Sequence, residues 1–427
     1  MFDVIDVVGL GDGGLEELPA RSRTLIRSAR VLVGGRRHLD LVPNVPGQQR
    51  HTWPSPLVKG LPVLLAELGL TATYPVPPAS GRTPAGESRG GVVALASGDP
   101  LRSGIGSTLV RMLGADHVRI HPWLSSDTLA RARMGWSAEE CEVLTVVGRS
   151  VEQLRAHLDP GARLVVLCSD GLTPARVAAL LVGEGCGESA LTAWWHLGGV
   201  AEGSRRAPAY RWGENPTPDL VVVCVEVEAV QARRRAALGT APGLPEAAYD
   251  SDGQLTKRDA RASALAHLRP HRGGVLWDLG AGTGTVGLEW ARAAAGATTL
   301  AVERRPDRAG RIRSNASRLG VPDRVEVLEA DVLEAVSVDR PGPDAVFIGG
   351  GLTLELLAAA WVRLVPGGRL VAHAVTLEGE QVLVAAWRQH GGDLTRLAVE
   401  HAEPLGRLTG WRPARPIVQW SACKEAP

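Results

Sequence analysis

The chain of 427 residues is longer than one ordinary domain, and its composition, 44% hydrophobic and 22% charged, is that of a globular protein. With 47 Lys and Arg against 46 Asp and Glu, its formal net charge of +1 argues against a dedicated nucleic-acid binder. The five cysteines lack CxxC spacing, which argues against a disulfide framework or a cysteine-rich metal site. The apolar runs are too short to span a bilayer, so we expect a cytoplasmic protein without a membrane segment.

The first half of the chain alternates strands and helices, which predicts a largely parallel sheet. A first strand at 4–8 leads into a glycine-rich loop, and a helix is predicted over about 19–29. The pattern restarts near Val143. We therefore expect two α/β lobes, at about 1–120 and 121–225.

A composition change near the middle of the chain marks a domain boundary. Residues 229–247 are rich in glycine, proline and polar side chains, which is typical of a linker. The pattern predicts a first domain over 1–228 and a second over 248–427.

Three short motifs in the first half gain specificity from their order and spacing. They are the glycine loop at 9–14, the segment 97–100 with Gly104, and the pair Ser125-Ser126 before a predicted helix. Each alone is an ordinary turn or helix cap. Together they resemble the tetrapyrrole methylase family, whose members bind S-adenosylmethionine (SAM) between two α/β lobes.

That resemblance implies roles for individual residues. Three glycines would face the tetrapyrrole: Gly9, Gly11 and Gly13. Seven residues would contact SAM: Ser97, Gly98, Asp99, Pro100, Gly104, Ser125 and Ser126. The family commonly has proline at position 12 and an aromatic residue at position 103, where this chain has Asp12 and Ser103.

Residues 252–259, at the start of the second half, have two interpretations. Thr256 and Asp259 have the spacing of a capping box that opens a helix to about Leu268. That interpretation does not explain Lys257 and Arg258, because cations are disfavoured at a helix start. Both cations would instead suit a polycarboxylate substrate, and Thr256 is a candidate cofactor contact.

Residues 273–289 are the most informative stretch of the chain. A strand runs into Asp278 and the loop glycines Gly280, Gly282 and Gly284, and the next strand ends in Glu303. Dinucleotide folds use G-x-G-x-x-G around a pyrophosphate, which an acid beside the loop would repel. The acid suits the ammonium group of a methionine moiety, and Glu303 could accept hydrogen bonds from both ribose hydroxyls. The pattern resembles the SAM loop of Rossmann-like methyltransferases, with an NAD site or an empty glycine turn as alternatives.

Further site residues follow later strands of the second half. Asp331 lies after strand 325–328, where Rossmann methyltransferases often contact adenine. Three successive glycines, 349–351, follow strand 345–348 at the edge where open α/β folds bind ligands. Gly349, Gly350 and Gly351 need either a turn or close substrate approach. His373 is a candidate substrate contact or a structural histidine.

Taken in order, the motifs TKRD, DLGAGTG, VER, DAVFIGGG and AVTLE resemble the decarboxylating methyltransferases of cobalamin biosynthesis over about 248–422. His373 stands where that family has asparagine. The two resemblances occur in the order of bifunctional enzymes of that pathway. They imply an α/β protein with a two-lobed tetrapyrrole-methylase-like unit followed by a doubly wound, Rossmann-like sheet. They also imply SAM-dependent methylation of a precorrin at carbons 5 and 15, with decarboxylation of the ring C acetate.

Partners follow from the same resemblance. We expect a precorrin-type substrate, SAM as methyl donor, no protein-bound metal, no nucleic-acid or membrane partner, and a homo-oligomer. The substrate alternatives are another tetrapyrrole or a cobalt-containing precorrin. An RNA-modifying methyltransferase is the alternative from another class, which the near-zero net charge disfavours.

Overall fold

The structure, a computed structural model, describes residues 4–70, 91–228 and 239–425. The chain divides into two compact units, Met1–Arg149 with Pro160–Val230, and Ser150–Asp159 with Gln231–Pro427. Of the predicted linker 229–247, residues 229–238 lie outside the described residues, and the remainder belongs to the second unit. Within the described ranges, no helix combines the length and apolar character that a bilayer span requires.

The first sheet of the first unit is parallel, as the alternating pattern predicts. Its strands are β1 (Ile5–Leu10), β2 (Val31–Gly34), β3 (Gln49–Thr52), β4 (Val92–Ser97) and β5 (Val118–His121). The helices beside them are α1 (Ala20–Ser28), α2 (Arg36–Asp40), α3 (Leu57–Glu67) and α4 (Ile105–Leu113). The strand order is β3-β2-β4-β1-β5. All six residues of β1 are buried, because strands of a parallel sheet are covered on both faces.

The second sheet of the first unit is mixed, so the prediction of a largely parallel sheet is wrong for this lobe. Its strands are β6 (Glu142–Thr145), β7 (Arg163–Leu167), β8 (Ala190–Trp195), β9 (Gly203–Pro208) and β10 (Val221–Glu226), in the order β6-β7-β10-β8-β9. Its helices are α5 (Ser126–Met134) and α6 (Thr173–Gly183). Of these strand pairs, β6–β7 is parallel and the other three are antiparallel. In the described chain no α-helix separates β8, β9 and β10, so no crossover connection makes them parallel.

The second unit is a doubly wound sheet. Its strands are β11 (Val275–Leu279), β12 (Thr298–Val302), β13 (Val325–Leu328), β14 (Ala345–Ile348), β15 (Arg369–Ala374), β16 (Asp393–Leu397), β17 (Glu400–Leu405), β18 (Leu408–Pro413) and β19 (Ile417–Cys423). Its helices are α7 (Arg258–Leu268), α8 (Thr285–Ala293), α9 (Pro306–Arg318), α10 (Val332–Ser337), α11 (Leu354–Arg363) and α12 (Leu377–His390). Seven strands form the sheet in the order β13-β12-β11-β14-β15-β19-β16, while β17 and β18 pair as a separate ribbon.

The strand order of the second unit locates a ligand site. Strands β13 to β15 in that order are parallel, and β19 and β16 complete the sheet antiparallel. The chain winds from β11 towards β13 on one side and resumes at β14 on the other, so the order reverses between β11 and β14. Open α/β sheets bind ligands at the carboxyl ends of strands beside such a reversal. The predicted glycine loop and the three glycines follow these two strands.

Helices cover both faces of this sheet, and the side chains of β14 alternate between them. Val346 and Ile348 pack with residues of α11 and α12. Phe347, pointing the other way, packs with residues of α7 and α8. The whole strand is buried, which fixes the position of the glycines that follow it.

Candidate active sites

The glycine loop after β11 adopts backbone conformations that favour glycine. Gly280, Gly282 and Gly284 have φ of +68°, +60° and +78°, in the left-handed region. A Cβ on Gly280 would lie 2.5 Å from the carbonyl oxygen of Gly350. The loop therefore lies directly against the glycine segment that follows β14. Gly284 does not line the cavities here; it precedes α8 as its N-cap, and a Cβ on it would lie 2.9 Å from Ile312.

Asp278 lies under this loop with an unsatisfied oxygen. Its Oδ2 accepts a hydrogen bond from the backbone N–H of Gly287 at 2.9 Å, and its buried Oδ1 has no partner among the described residues. Burial, with a smaller contribution from the charge of Glu303, raises the pKa of Asp278 to about 7. A buried acceptor without a partner favours a cationic ligand at this position.

Glu303 connects the end of β12 to the loop. Its Oε2 accepts from the backbone N–H of Gly282 at 2.8 Å, and its Oε1 accepts from the backbone N–H of Arg305 at 3.0 Å. Each carboxylate oxygen has a second lone pair, so both can still accept from ligand hydroxyls.

A cavity of about 500 Å³ opens at this edge of the sheet. It brings together five of the predicted residues: Gly280, Glu303, Asp331, Gly350 and Gly351. The side chain of Asp331 also caps α10, accepting from the backbone N–H of Leu333 at 2.9 Å. Left-handed glycines, an unsatisfied buried acid and an acceptor carboxylate together fit a cationic nucleoside such as SAM.

A wider groove of about 1050 Å³ adjoins this cavity. It is lined by six further predicted residues: Thr256, Lys257, Asp278, Gly282, Gly349 and His373. Arg258 is not among the lining residues; its backbone N–H donates to Glu246 Oε1 at 3.0 Å. The predicted capping box is wrong, because α7 begins at Arg258 with Lys257 as its N-cap and no side-chain capping bond.

The groove is also lined by cationic side chains, of which the sequence motifs had singled out Lys257. Arg308 is already paired, donating to Asp252 and Gln254, and Arg412 is paired with Glu403 at 2.9 Å. The side chains of Lys257 and Arg415 are exposed and have no hydrogen-bond or ion-pair partner in the part of the chain that the structure describes. No local motif indicated Arg415, since it reaches the groove only through the β18–β19 connection.

His373 is held within the wall of the groove. Its Nε2 donates to Gln419 Oε1 at 2.9 Å, and its ring meets that of Phe347 edge-on, with the centroids 5.1 Å apart. Burial lowers the pKa of His373 to about 4. The ring is therefore neutral near pH 7, and its contacts within the sheet account for its position.

In the first unit, the first loop glycine permits a close approach between two strand ends. A Cβ on Gly9 would lie 1.7 Å from the carbonyl oxygen of Gly98. Gly98 itself has φ of +48°, and its N–H donates to the carbonyl of Leu10 at 3.1 Å. Gly11 lines the adjacent cavity, whereas Gly9 and Gly13 do not. Gly9 and Gly13 therefore shape the loop rather than the cavity wall.

The segment after β4 is built in a similar way. The hydroxyl of Ser97 contacts His38 Nε2 at 3.0 Å. The carboxylate of Asp99 closes a turn by accepting from the backbone N–H of Leu101 at 2.9 Å. A Cβ on Gly104 would lie 2.7 Å from the carbonyl oxygen of Pro100. Asp99, Pro100 and Gly104 thus hold the segment in place without lining the cavity.

A cavity of about 360 Å³ lies between the two lobes of the first unit. Of the predicted residues it brings together Gly11, Ser97, Gly98, Ser125 and Ser126. Ser125 precedes α5 as its N-cap, but its hydroxyl contacts Thr128 Oγ1 at 3.0 Å instead of capping the backbone.

Sequence reasoning missed several polar residues of this cavity: Arg37, Arg102, Asp127 and His196. Arg102 and Asp127 form an ion pair at 3.4 Å. The sequence signal for two of them was Asp12, which stands where the family commonly has proline. Its carboxylate pairs with both Arg37 and His196.

No group of three or more His, Cys, Asp or Glu side chains suited to a metal occurs in residues 4–70, 91–228 and 239–425. The expected absence of a protein-bound metal stays a prediction.

Two family models match the chain in the predicted order. One, described as tetrapyrrole (corrin/porphyrin) methylases, matches residues 4–185, and the other, described as precorrin methyltransferase domain, matches residues 247–424. Both matches confirm the resemblances on which the sequence interpretation depends, and with them the fold class.

Curated relatives extend the match to the whole chain. A Sinorhizobium sp. protein named precorrin-6Y C(5,15)-methyltransferase (decarboxylating) is 38% identical over 421 residues, 98% of this chain and 96% of that one. The protein of that name from Mycobacterium tuberculosis (strain CDC 1551 / Oshkosh) is 37% identical over 422 residues, 99% of this chain and all of that one.

A shorter relative matches part of the chain. A Pyrobaculum calidifontis protein named probable cobalt-precorrin-6B C(15)-methyltransferase (decarboxylating) is 34% identical over 182 residues, 41% of this chain and 93% of that one. The two longer relatives are similar over almost their full length, which establishes the family. The chain belongs to the family of decarboxylating precorrin-6Y C(5,15)-methyltransferases.

Proposed function

We propose that the chain carries out two SAM-dependent methylations of a precorrin macrocycle, at carbons 5 and 15, and decarboxylates the ring C acetate. The first unit would methylate carbon 5, and the second would methylate carbon 15 and release carbon dioxide. The observation that carries this proposal is the presence of two separately built clefts in one chain, each lined by predicted SAM-site residues. Two such clefts suit a single substrate that requires two methyl groups.

In the second unit, the residues around the glycine loop would bind and orient the methyl donor. When bound, SAM supplies an electrophilic methyl group on a positively charged sulfur. The free oxygen of Asp278 would accept from the ammonium group of the methionine moiety, and Glu303 would accept from the ribose hydroxyls. The main contribution of these residues is to fix the methyl group in line with the ring carbon and to exclude water.

The groove beside that cavity would hold the macrocycle. A precorrin carries several peripheral carboxylates, and the unpaired cations Lys257 and Arg415 are available to dock them. Gly349 and Gly350 leave space for the flat ring to approach the end of β14. The conjugated macrocycle itself is the electron sink for decarboxylation, so the site requires few titrating groups.

The relatives' names support the assignment of the two activities. The Pyrobaculum calidifontis relative, named for carbon 15 and decarboxylation alone, matches a length of chain similar to that of the precorrin methyltransferase model. Its name also specifies a cobalt-precorrin, which favours a second candidate substrate, the cobalt-containing macrocycle.

The proposed function also implies a compartment, an oligomeric state and a set of partners for the protein. We propose a cytoplasmic homo-oligomer without a protein-bound metal or a nucleic-acid partner. The near-zero net charge supports the absence of a nucleic-acid partner, and the five free cysteines suit a reducing compartment. Oligomerisation is supported by the family resemblance alone, and sedimentation of the purified chain tests it.

Mass spectrometry of the reaction products tests the proposed function. The full chain is incubated with SAM and either metal-free precorrin-6Y or its cobalt-containing counterpart. A gain of two methyl groups with loss of one carbon dioxide is the expected result for one of these substrates. An unchanged mass with both substrates would overturn the proposal.

A further inference from the structure

A histidine–aspartate pair spans the two lobes of the first unit at the wall of its cavity. Asp12 lies in the loop after β1, and His196 follows β8. His196 Nδ1 lies 2.8 Å from Asp12 Oδ2. The other oxygen of Asp12, Oδ1, accepts from Arg37 Nη1 at 3.2 Å. Three polar side chains from separate segments therefore meet at one point of the cavity.

The backbone around this pair is shaped to admit it. His196 has φ of +51°, a conformation that residues other than glycine seldom adopt. A Cβ on Gly199 would lie 2.6 Å from Asp12 Oδ2, so the carboxylate occupies space that only glycine leaves open. The N–H of Gly199 donates to the carbonyl of His196 at 2.8 Å and closes the turn. Strained backbone that is held in place by its surroundings often marks a functional position.

The imidazole of His196 has one ring nitrogen, Nε2, that is free to accept a proton. The side chain is partly exposed and lines the cavity, and its Nε2 has no hydrogen-bond partner among the described residues. A carboxylate at Nδ1 fixes the tautomer that leaves Nε2 as an acceptor. The other histidine nearby, His38, does not have this freedom, because its Nε2 contacts both Ser97 and Arg37.

We propose that His196 is the catalytic base of the methylation in the first unit and that Asp12 is its positioning residue. This inference rests on the proposed function. Transfer of a methyl group to a ring carbon that bears hydrogen must release one proton for each methyl added.

The ring carbon supplies the electron pair of the new carbon–carbon bond, and the pair of the broken sulfur–carbon bond stays on the now neutral sulfur. The positive charge passes to the macrocycle, which loses a proton to His196 Nε2 and recovers its conjugation. Asp12 stabilises the imidazolium that forms, and the proton then passes to water.

The groups around His196 define the electrostatic setting of this transfer. Asp12 and Arg37 face it from the β1 and α2 side, and Glu17 lies beside the same turn, near Gly198. The cavity wall adds further ionisable groups: Arg102, Asp127 and Cys168. The aspartate is the one among them that contacts the imidazole directly.

Substitution of the histidine in the full chain tests the proposal. For H196A we expect kcat for methylation at carbon 5 to fall about 100-fold or more, with KM within about threefold and SAM affinity unchanged. Added imidazole should restore part of the rate. H51A, which changes a histidine on the edge strand β3 away from the cavity, is the matched control and should keep the wild-type rate.

The aspartate is tested by its effect on the pH dependence. D12N should lower kcat about tenfold or more and displace the limb of the pH–rate profile that reports the base, whereas D12E should recover part of the rate. A purely structural Asp12 would leave the position of that limb unchanged, which would contradict its proposed role.

The activity of the second unit is an internal control for H196A in the same experiment. With H196A the product should gain one methyl group and still lose carbon dioxide. If H196A fails to fold, H196Q, which keeps a polar side chain, replaces it. A wild-type kcat at carbon 5 in either variant would overturn the role of His196 while the proposed function stands. A wild-type chain that transfers no methyl group to carbon 5 would overturn both.

Discussion

Glu303 at the end of β12 accepts a hydrogen bond from the backbone N–H of Gly282 at 2.8 Å. The glycine loop and the acid that follows the next strand are therefore one assembly, with the carboxylate holding the loop while it faces the cavity. This relationship explains why the loop glycines and the distant acid occur together in the sequence.

Substitution of Glu303 should weaken SAM binding by the second unit. In E303Q one acceptor oxygen remains for the Gly282 N–H, but the charge and part of the capacity to accept from the ribose are lost. We expect about 10- to 100-fold weaker binding at this site by isothermal titration calorimetry. E326Q, at an exposed glutamate of β13, is the control and should bind as the wild type does. Equal affinities for E303Q and wild type would exclude Glu303 from the binding site.

The raised pKa of Asp278, about 7, predicts a pH-dependent affinity. Because the folded pKa lies above the unfolded value, ionisation of this group opposes folding, and its cost grows as the pH rises from about 4 to about 7. A cationic ligand favours the ionised form, so SAM binding at this site should strengthen about tenfold between about pH 6 and about pH 8. Calorimetry at both pH values measures this change, and D278N should abolish it. A pH-independent affinity in the wild type would contradict the proposed contact.

A buried ion pair joins α7 to α8 and holds the segment before α7 against α8. Arg261 and Glu289 pair with side-chain exposures of 0% and 3%, and Glu289 also accepts from the N–H groups of Gly243 and Leu244 and from the Tyr249 hydroxyl. Removal of one partner leaves the other charge buried.

We therefore expect E289A to lower the free energy of unfolding by about 3–5 kcal/mol in a urea titration. The exposed pair of Arg305 and Asp307 provides the control, and D307A should leave the free energy of unfolding nearly unchanged, because solvent screens an exposed ion pair. Similar stabilities for the two variants would show that the buried pair does not hold this segment.

Gly9 should tolerate no side chain. A Cβ there would lie 1.7 Å from the Gly98 carbonyl oxygen, so G9A must displace the end of β1 from β4. We expect thermal unfolding to show that the free energy of unfolding of G9A is lower than that of the wild type by about 3 kcal/mol or more. G183A, at a helical glycine of α6 with open space around its Cβ position, should leave stability nearly unchanged. A G9A protein as stable as G183A would show that the strand ends separate without cost.

Local spacing was sufficient to predict much of the second unit. The strand, glycine loop, helix and following acid are contiguous in the sequence, and the chain folds them into adjoining parallel strands with the predicted residues at one sheet edge. The predicted capping box failed because Thr256 lies one residue before the N-cap. Side-chain spacing alone does not determine where a helix begins.

Contacts between distant segments could not be predicted in this way. Asp12 and His196 lie on different lobes, and neither neighbourhood contains a motif that refers to the other. In the sequence, Glu289 is one polar residue of α8 without a recognisable motif, yet its partners come from the segment at 243–261. The antiparallel pairing of β10 depends on long-range order rather than on local pattern.

The E303Q variant tests whether the chain contains two independent methylating sites. The variant is incubated with the precorrin substrate that the wild type uses and with SAM well below the weakened Kd of its second unit, and the product is analysed by mass spectrometry. If the two sites work independently, the product gains one methyl group, at carbon 5, and does not lose carbon dioxide. A product that has lost carbon dioxide at the wild-type rate would contradict it.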